Sequence, residues 1–240
     1  GWFPSSSPSP IPTLLPGAPT VVVPSPAAPA SVPGIGFDIS YPQCRAEPPQ
    51  HAAFAIIGVN GGAPLTSNRC FARQVAWART LPAYAVYVNT SNTGAQDPVA
   101  YGTHLAEDAI ERERTSGVRG VGMWWLDVEV TNTWNGTVQE NATVLASMIV
   151  RLQQAGVRVG IYSSPAQWTE IAGDWAPGLP VWNAIGSGTR ADARAACTES
   201  FAGSTTAIVQ WVAKQGDLDY DHNEICPAWS DRAGDVLAVR

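Results

Sequence analysis

The chain has 240 residues, is 45% hydrophobic, and carries a formal net charge of −6 without any run of basic residues. A nucleic-acid partner needs clustered Lys and Arg, so the composition speaks against one. Ten of the twenty prolines fall within residues 1–34, and the first charged residue is Asp38.

Proline fixes φ and removes a backbone donor, so residues 1–34 are expected to form no helix or central strand. They read as a Pro/Ser/Ala-rich spacer, disordered or extended, ahead of one folded unit over 35–240. The apolar pieces of this spacer are too short to span a membrane. It has neither the charged start nor the long apolar core of a secretory signal, so any such signal is expected to have been removed or left out.

The first strand run is "GIGFDIS" (34–40). "YPQCRAEPPQ" follows and is too rich in proline for a helix. "AFAIIGVN" (53–60) is a second strand, and a helix opened by Asn68 follows, with Phe71, Val75 and Ala78 on one face. "AYAVYVNT" (83–90) leads to a helix that Asp97-Pro98 opens and that runs to about Gly117. "VGMWWLDVE" (121–129) precedes a helix over 137–155, with Thr137 and Glu140 as a capping box and Gly156 as its stop. "VRVGIYSS" (157–164) leads to a helix started by Ser164-Pro165 and ended by Gly173. "LPVWNA" (179–184) and "AIVQWV" (207–212) are further strands, and "DLDYD" (217–221) is the candidate eighth.

Most of these runs are continuously apolar, as strands covered on both faces are. Strand and helix alternate, which implies parallel pairing and right-handed crossovers. The expected fold is α/β: a small (β/α) TIM-like barrel with shortened or missing helices. A doubly wound open sheet is the alternative, but no GxGxxG follows an early strand.

The strands end alike, in Asp38, Asn60, Tyr87 with Asn89, Asp127 with Glu129, Tyr162, Asn183 and Gln210. In a parallel barrel such ends share one rim, where the loops build a site. Asp127 and Glu129 project to the same side, about 6.5 Å apart along the strand. Crowded carboxylates resist joint ionisation, and one that keeps its proton beside one that loses it suits glycosidic cleavage. Of ten tryptophans, Trp125, Trp134, Trp168, Trp182 and Trp211 lie at or just after strand ends, where some are expected to stack on sugar faces.

Cys44, Cys70, Cys197 and Cys226 match no metal-binding spacing, and four cysteines allow three pairings. Nearest-neighbour pairing is favoured over four free thiols, and with it an oxidising, extracytoplasmic setting. Lys214 is the only lysine, a composition that reads as bacterial.

In order along the chain, these motifs resemble glycoside hydrolase family 25 lysozymes. "GFDIS" is similar to the family's GxDxS first strand, and "WLDVE" to its DxE strand. "VGIYSS" resembles its Gly-Ile-Tyr-Thr-like strand and "PVWNA" its Leu-Trp-Ile-Ala-like strand. "IVQWV" with "DLDYD" resembles its Trp-Gln-Tyr and Val-Asp-Leu-Asn ending. A related family-25-like domain of secreted actinobacterial proteins is similar too. The resemblance implies a barrel that cleaves peptidoglycan, with Glu129 as general acid and Asp127 assisting, by orienting the substrate's own 2-acetamido group as nucleophile. It places Asp38 on the groove floor and Asp219 on the last strand, with Asp217 as the competing alignment. Tyr87, Tyr162, Trp182 and Gln210 are expected along the subsites, with Asn60, Asn89, Trp125 and Trp211 as further substrate contacts.

The chain departs from the family where "VNGG" replaces Thr-Glu-Gly and "YVN" replaces Tyr-His-Phe. A non-catalytic glycan-binding barrel, or a glycosidase for a different envelope polysaccharide, is therefore carried as the alternative. A calcium loop at "DLDYDH" lacks glycine at position six and glutamate at position twelve. No cofactor or metal is implied. The expected protein is secreted or envelope-associated and monomeric, with a cell-wall polysaccharide as its partner.

Overall fold

The computed structural model describes residues 13–215 and 218–240, with side-chain surroundings outside 214–220. Eight strands close into a barrel: β1 Gly36–Ile39, β2 Phe54–Gly58, β3 Ala83–Asn89, β4 Met123–Asp127, β5 Arg158–Ser163, β6 Val181–Ser187, β8 Ser204–Gln215 and β9 Leu218–Ile225. A short β7, Ser200–Phe201, hangs on β8, and β10, Ala238–Val239, pairs with β3. β1 to β6 and β8 run parallel. β9 is antiparallel to both of its neighbours, β8 and β1. A uniformly parallel rim was the expectation; the last strand instead returns from β8 without a crossover, so it runs from the rim downward.

Crossover helices follow their capping chemistry. α1 is Phe71–Ala78, α2 Pro98–Thr115, α3 Val138–Gln154 and α4 Pro165–Ala172. Asp97, Thr137 and Ser164 each accept a bond from the first turn, and Thr137 with Glu140 forms the capping box. α1 starts three residues later than Asn68, whose Oδ1 accepts from the Cys70 amide at 3.1 Å while its Nδ2 donates to the Gly58 carbonyl and Gln74. No α-helix joins β1 to β2, only a 3-10 turn over Tyr41–Arg45. Short α5, Arg190–Ala195, and α6, Ala233–Val236, were not foreseen.

Strand alternation divides the core into two layers. Phe54, Ile56, Ala85, Met123 and Trp125 fill the barrel. Ile57, Val86 and Leu126 face outward onto Leu105, Leu145 and Ile149 of the helices. Cys44–Cys70 and Cys197–Cys226 are disulfide-bonded, nearest neighbours as favoured.

Residues 13–34 run extended along the outside of the barrel. The Leu15 amide donates to Thr143 Oγ1 at 3.0 Å, and Gln153 exchanges bonds with the Val22 backbone. Asp235 Oδ1 accepts from the Ala27 amide at 2.6 Å and from Arg158 at 3.2 Å. Among the described residues no helix is long and apolar enough to cross a membrane.

Candidate active site

The carboxyl ends of the parallel strands surround a cavity of about 80 Å³ lined by Asp38, Tyr87, Asp127, Glu129, Tyr162, Trp182, Gln210 and Asp221. Asp38 and Asp127 sit on the inward side of β1 and β4 by the same alternation that points Ile56 and Trp125 into the core. Among the described residues, no Arg, Lys or His lines the cavity.

One side of the cavity is a continuous hydrogen-bonded chain. Tyr162 donates to Gln210 Oε1 at 2.8 Å, and Gln210 Nε2 donates to Asp38 Oδ2 at 2.9 Å. Asn223 Nδ2 donates to the same oxygen at 2.7 Å, and Trp182 Nε1 donates to Asn223 Oδ1 at 2.8 Å. Burial and the charge of Asp221 together raise the Asp38 carboxyl well above its usual range, against the pull of these amide donors. The Trp182 ring meets Tyr162 at 4.4 Å and Trp125 at 5.7 Å, edge to face.

On the other side stand Asp127 and Glu129. Burial, then the charge of Glu129, pushes the Asp127 carboxyl well above its usual range, opposed by hydrogen bonds from Asn132 and Asn89. The backbone of this turn is held by side chains. Thr90 and Asn132 donate to the Asp127 carbonyl at 2.6 and 3.0 Å. Ser163 donates to the Val128 carbonyl at 2.7 Å, and Trp134 Nε1 donates to the Glu129 carbonyl at 2.7 Å. Glu129 is half-buried, nearer the mouth than Asp127. Burial first, then surrounding carboxylates, also raises the Tyr87 and Tyr162 hydroxyls. Neither tyrosine is a general base at neutral pH.

Four of the expected contacts lie elsewhere. Trp125 is fully buried one step below Asp127, against Gly160 and Trp182. Trp211 faces the opposite side of β8 from Gln210 and stacks on His222 at 5.4 Å. Asn60 is buried, its amide tied to the Thr66 carbonyl and its oxygen to the Asn89 amide. Asn89 is buried against Asp127 and does not line the cavity. Trp168, at the strand end before α4, is likewise a core residue, stacked on Trp175.

Asp217 and the side chain of Asp219 lie outside the described residues; the Asp219 backbone, on β9, pairs with Lys214 of β8. Among the described residues, the last-strand acid in the cavity is Asp221, opposite Asp38 in register. Asp221 and Asn223 were missed. The signal was present, since the Asp-x-Asn spacing of Val-Asp-Leu-Asn occurs in Asp221-His222-Asn223. Among the described residues no group of three or more His, Cys, Asp or Glu is arranged to hold a metal ion.

A family model described as lysozyme-like protein 1 matches residues 43–210. The chain belongs to this family-25-like lysozyme family. Among curated members, it is 35% identical over 71 residues to "Probable GH family 25 lysozyme 4" of Dictyostelium discoideum, covering 29% of this chain and 33% of that protein. It is 32% identical over 82 residues to "Lysozyme-like protein 1" of Caenorhabditis elegans, covering 30% and 28%. The matched stretch thus spans a third or less of these lysozyme-like relatives. The barrel is similar to GHIP, a glycosyl hydrolase 25 of Streptococcus pneumoniae, with a TM-score of 0.58 and 21% identity over 83% of this chain and 89% of that one. It is also similar to the spore cortex lytic enzyme SleM of Clostridium perfringens, with a TM-score of 0.58 and 18% identity over 80% and 66%. At these identities the two structures establish the family's fold, with its eight-stranded α/β barrel.

Proposed function

We propose that the protein is an extracytoplasmic glycosidase that cleaves the glycan of peptidoglycan in the manner of a muramidase. The observation that carries this reading is the meeting of Asp38, Asp127, Glu129 and Asp221, from three separate segments, in one cavity with an aromatic wall and, among the described residues, no cation in its lining. Family membership supports it, and the two disulfides support the location.

In this mechanism Glu129 protonates the glycosidic oxygen as the bond to the anomeric carbon breaks. The carbonyl oxygen of the substrate's 2-acetamido group closes on that carbon, and Asp127 accepts its N–H. Water then opens the ring, giving its proton to Glu129, which is restored for the next cycle. The enclosed space is much smaller than a sugar ring, so the saccharide lies across the mouth and only its reacting edge enters. Asp38 and Asp221, with Tyr162 and Trp182, form the wall against which that edge is set.

Release of reducing ends from purified peptidoglycan by the wild type, and its loss by 10²-fold or more in Glu129→Gln, tests this. Equal release by the two removes Glu129 from the mechanism. The small cavity, and the Asn60-Gly61-Gly62 ending of the second strand without a carboxylate, favour one second reading. In that reading the barrel binds envelope glycan without cutting it. Binding of peptidoglycan with no reducing ends from the wild type would select it.

A further inference from the structure

Asn89 was expected to touch substrate. Its side chain is instead committed to a neighbour: Nδ2 donates to Asp127 Oδ2 at 2.6 Å. Asn89 and Asp127 are register partners on β3 and β4, so the bond joins two adjacent strands directly. The Asn89 backbone amide is fixed by Asn60 Oδ1 at 3.0 Å, and Asn60 Nδ2 is fixed by the Thr66 carbonyl at 3.0 Å. The last turn of the chain at β2 thus sets β3, and β3 sets the carboxylate of β4. Asp127 Oδ1 is buried and makes no hydrogen bond among the described residues.

The groups that face Asp127 are Glu129 beyond its own strand, Asp38 from β1, Tyr87 from β3, Tyr162 from β5 and Asp221 from β9. None is a cation. An amide NH₂ only donates, so it favours the ionised form of the oxygen it meets. We propose that Asn89 is a positioning residue: its bond to Oδ2 fixes the orientation of the Asp127 carboxyl and favours its ionised form against burial, which leaves Oδ1 as the atom that meets a substrate amide N–H. This rests on the glycosidase reading. It gives the altered third-strand ending, Tyr87-Val88-Asn89, a role in the acid pair rather than in sugar contact.

Two variants test it. Asn89→Asp keeps the shape and removes the donor; Asn89→Ala removes the side chain. Measured from pH 4 to 8 on soluble glycan fragments, both are expected to lose about 10²-fold in kcat with KM changed less than threefold. The acid limb of the kcat/KM profile is expected to move to higher pH, because Asp127 then ionises later. Asn60→Ala, which frees the Asn89 backbone, is expected to move the same limb by a smaller amount. Loss confined to KM would return Asn89 to substrate binding and overturn the proposal, as would an unmoved acid limb. A ¹³C titration of the Asp127 carboxyl reads the same effect without turnover: its midpoint rises in Asn89→Ala if the proposal holds and stays put if it fails. A wild type that releases no reducing ends sinks the glycosidase reading alone, and the carboxyl titration still decides the role of Asn89.

Discussion

Asp38 and Asp221 face each other across an antiparallel pair, β1 against β9, and both carboxyls line one small cavity. Two acids at one register position in a buried wall do not ionise independently. Asp38 is therefore held well above its ordinary range, first by burial and then by Asp221. A carboxyl whose folded-state value is raised adds stability at low pH, where its proton stays on, and loses it as pH climbs through the raised value.

Asp38→Asn follows from that sign. The amide keeps an oxygen for Gln210 and Asn223 and cannot ionise. Its melting temperature is expected to match the wild type below about pH 4, the unfolded carboxylate's range, and to exceed it at pH 7. For a chain of this size each 1 kcal/mol is worth about 2–4 °C. Calorimetry at both pH values checks it. A variant less stable than wild type at pH 7 would mean that the Asp38 charge is compensated.

Glu224 shows the opposite sign. Arg190 and Arg194 both grip it in two-bond geometry, at 2.6 to 3.1 Å, and its carboxyl is lowered to about 2. The bond to Arg190 is the largest cause of that lowering. This stability is present above about pH 4.5 and fades as pH falls toward 2. Glu224→Gln is expected to cost about 1–3 kcal/mol at pH 7 and little at pH 2.5. Urea unfolding at the two pH values measures the difference.

Gly58 sits where a side chain has no room. A Cβ there would lie 2.6 Å from Ser40 Cβ and 2.7 Å from Tyr87 Cζ. Gly58→Ala must push Tyr87, a cavity wall residue, out of place. We expect glycan cleavage to fall by about tenfold or more, with a stability loss of about 1–3 kcal/mol. Unchanged activity would show that the Tyr87 ring position is immaterial.

Asp235 is 4% exposed and ties three segments together: the Ala27 amide, Arg158 and Arg232. Arg158 also donates to the Ser25 carbonyl at 3.1 Å. Asp235→Ala leaves Arg158 without its carboxylate and is expected to cost about 3–5 kcal/mol. Limited proteolysis is expected to cut within residues 18–27 of the variant well before it cuts the wild type.

The barrel was legible because its signals are local. Apolar runs gave the strands, Asp97-Pro98 and Thr137 with Glu140 gave helix starts, and their alternation gave the layout. The rim acids Asp38, Asp127 and Glu129 were legible for the same reason: each ends an apolar run. What sequence did not disclose was the direction of β9. A parallel eighth strand would have brought Asp217 or Asp219 to the rim at its far end. A descending strand brings Asp221 to the cavity, and only the D-x-N spacing hinted at that; Asp217 and the Asp219 side chain lie outside the described residues. Strand ends also overstated the tryptophans. Parity, not position, decides which face a residue takes, so Trp211 went outside while Gln210 went in. Asn60 and Asn89 looked like ligand contacts because polar residues at a barrel mouth usually are; here buried polar groups satisfy one another.

The reversed strand has one more consequence. β8 pairs with β6 as far as Val212, opposite Ser187; past that point β8 and β9 pair only with each other, out to Gln215 and Leu218. This two-stranded extension takes no part in the pairing that closes the ring, so its length can change without re-registering the strands of that ring. The molecule thereby carries a lip at the entrance to its acidic cavity, a place where reach can be retuned while the ring beneath it stays untouched.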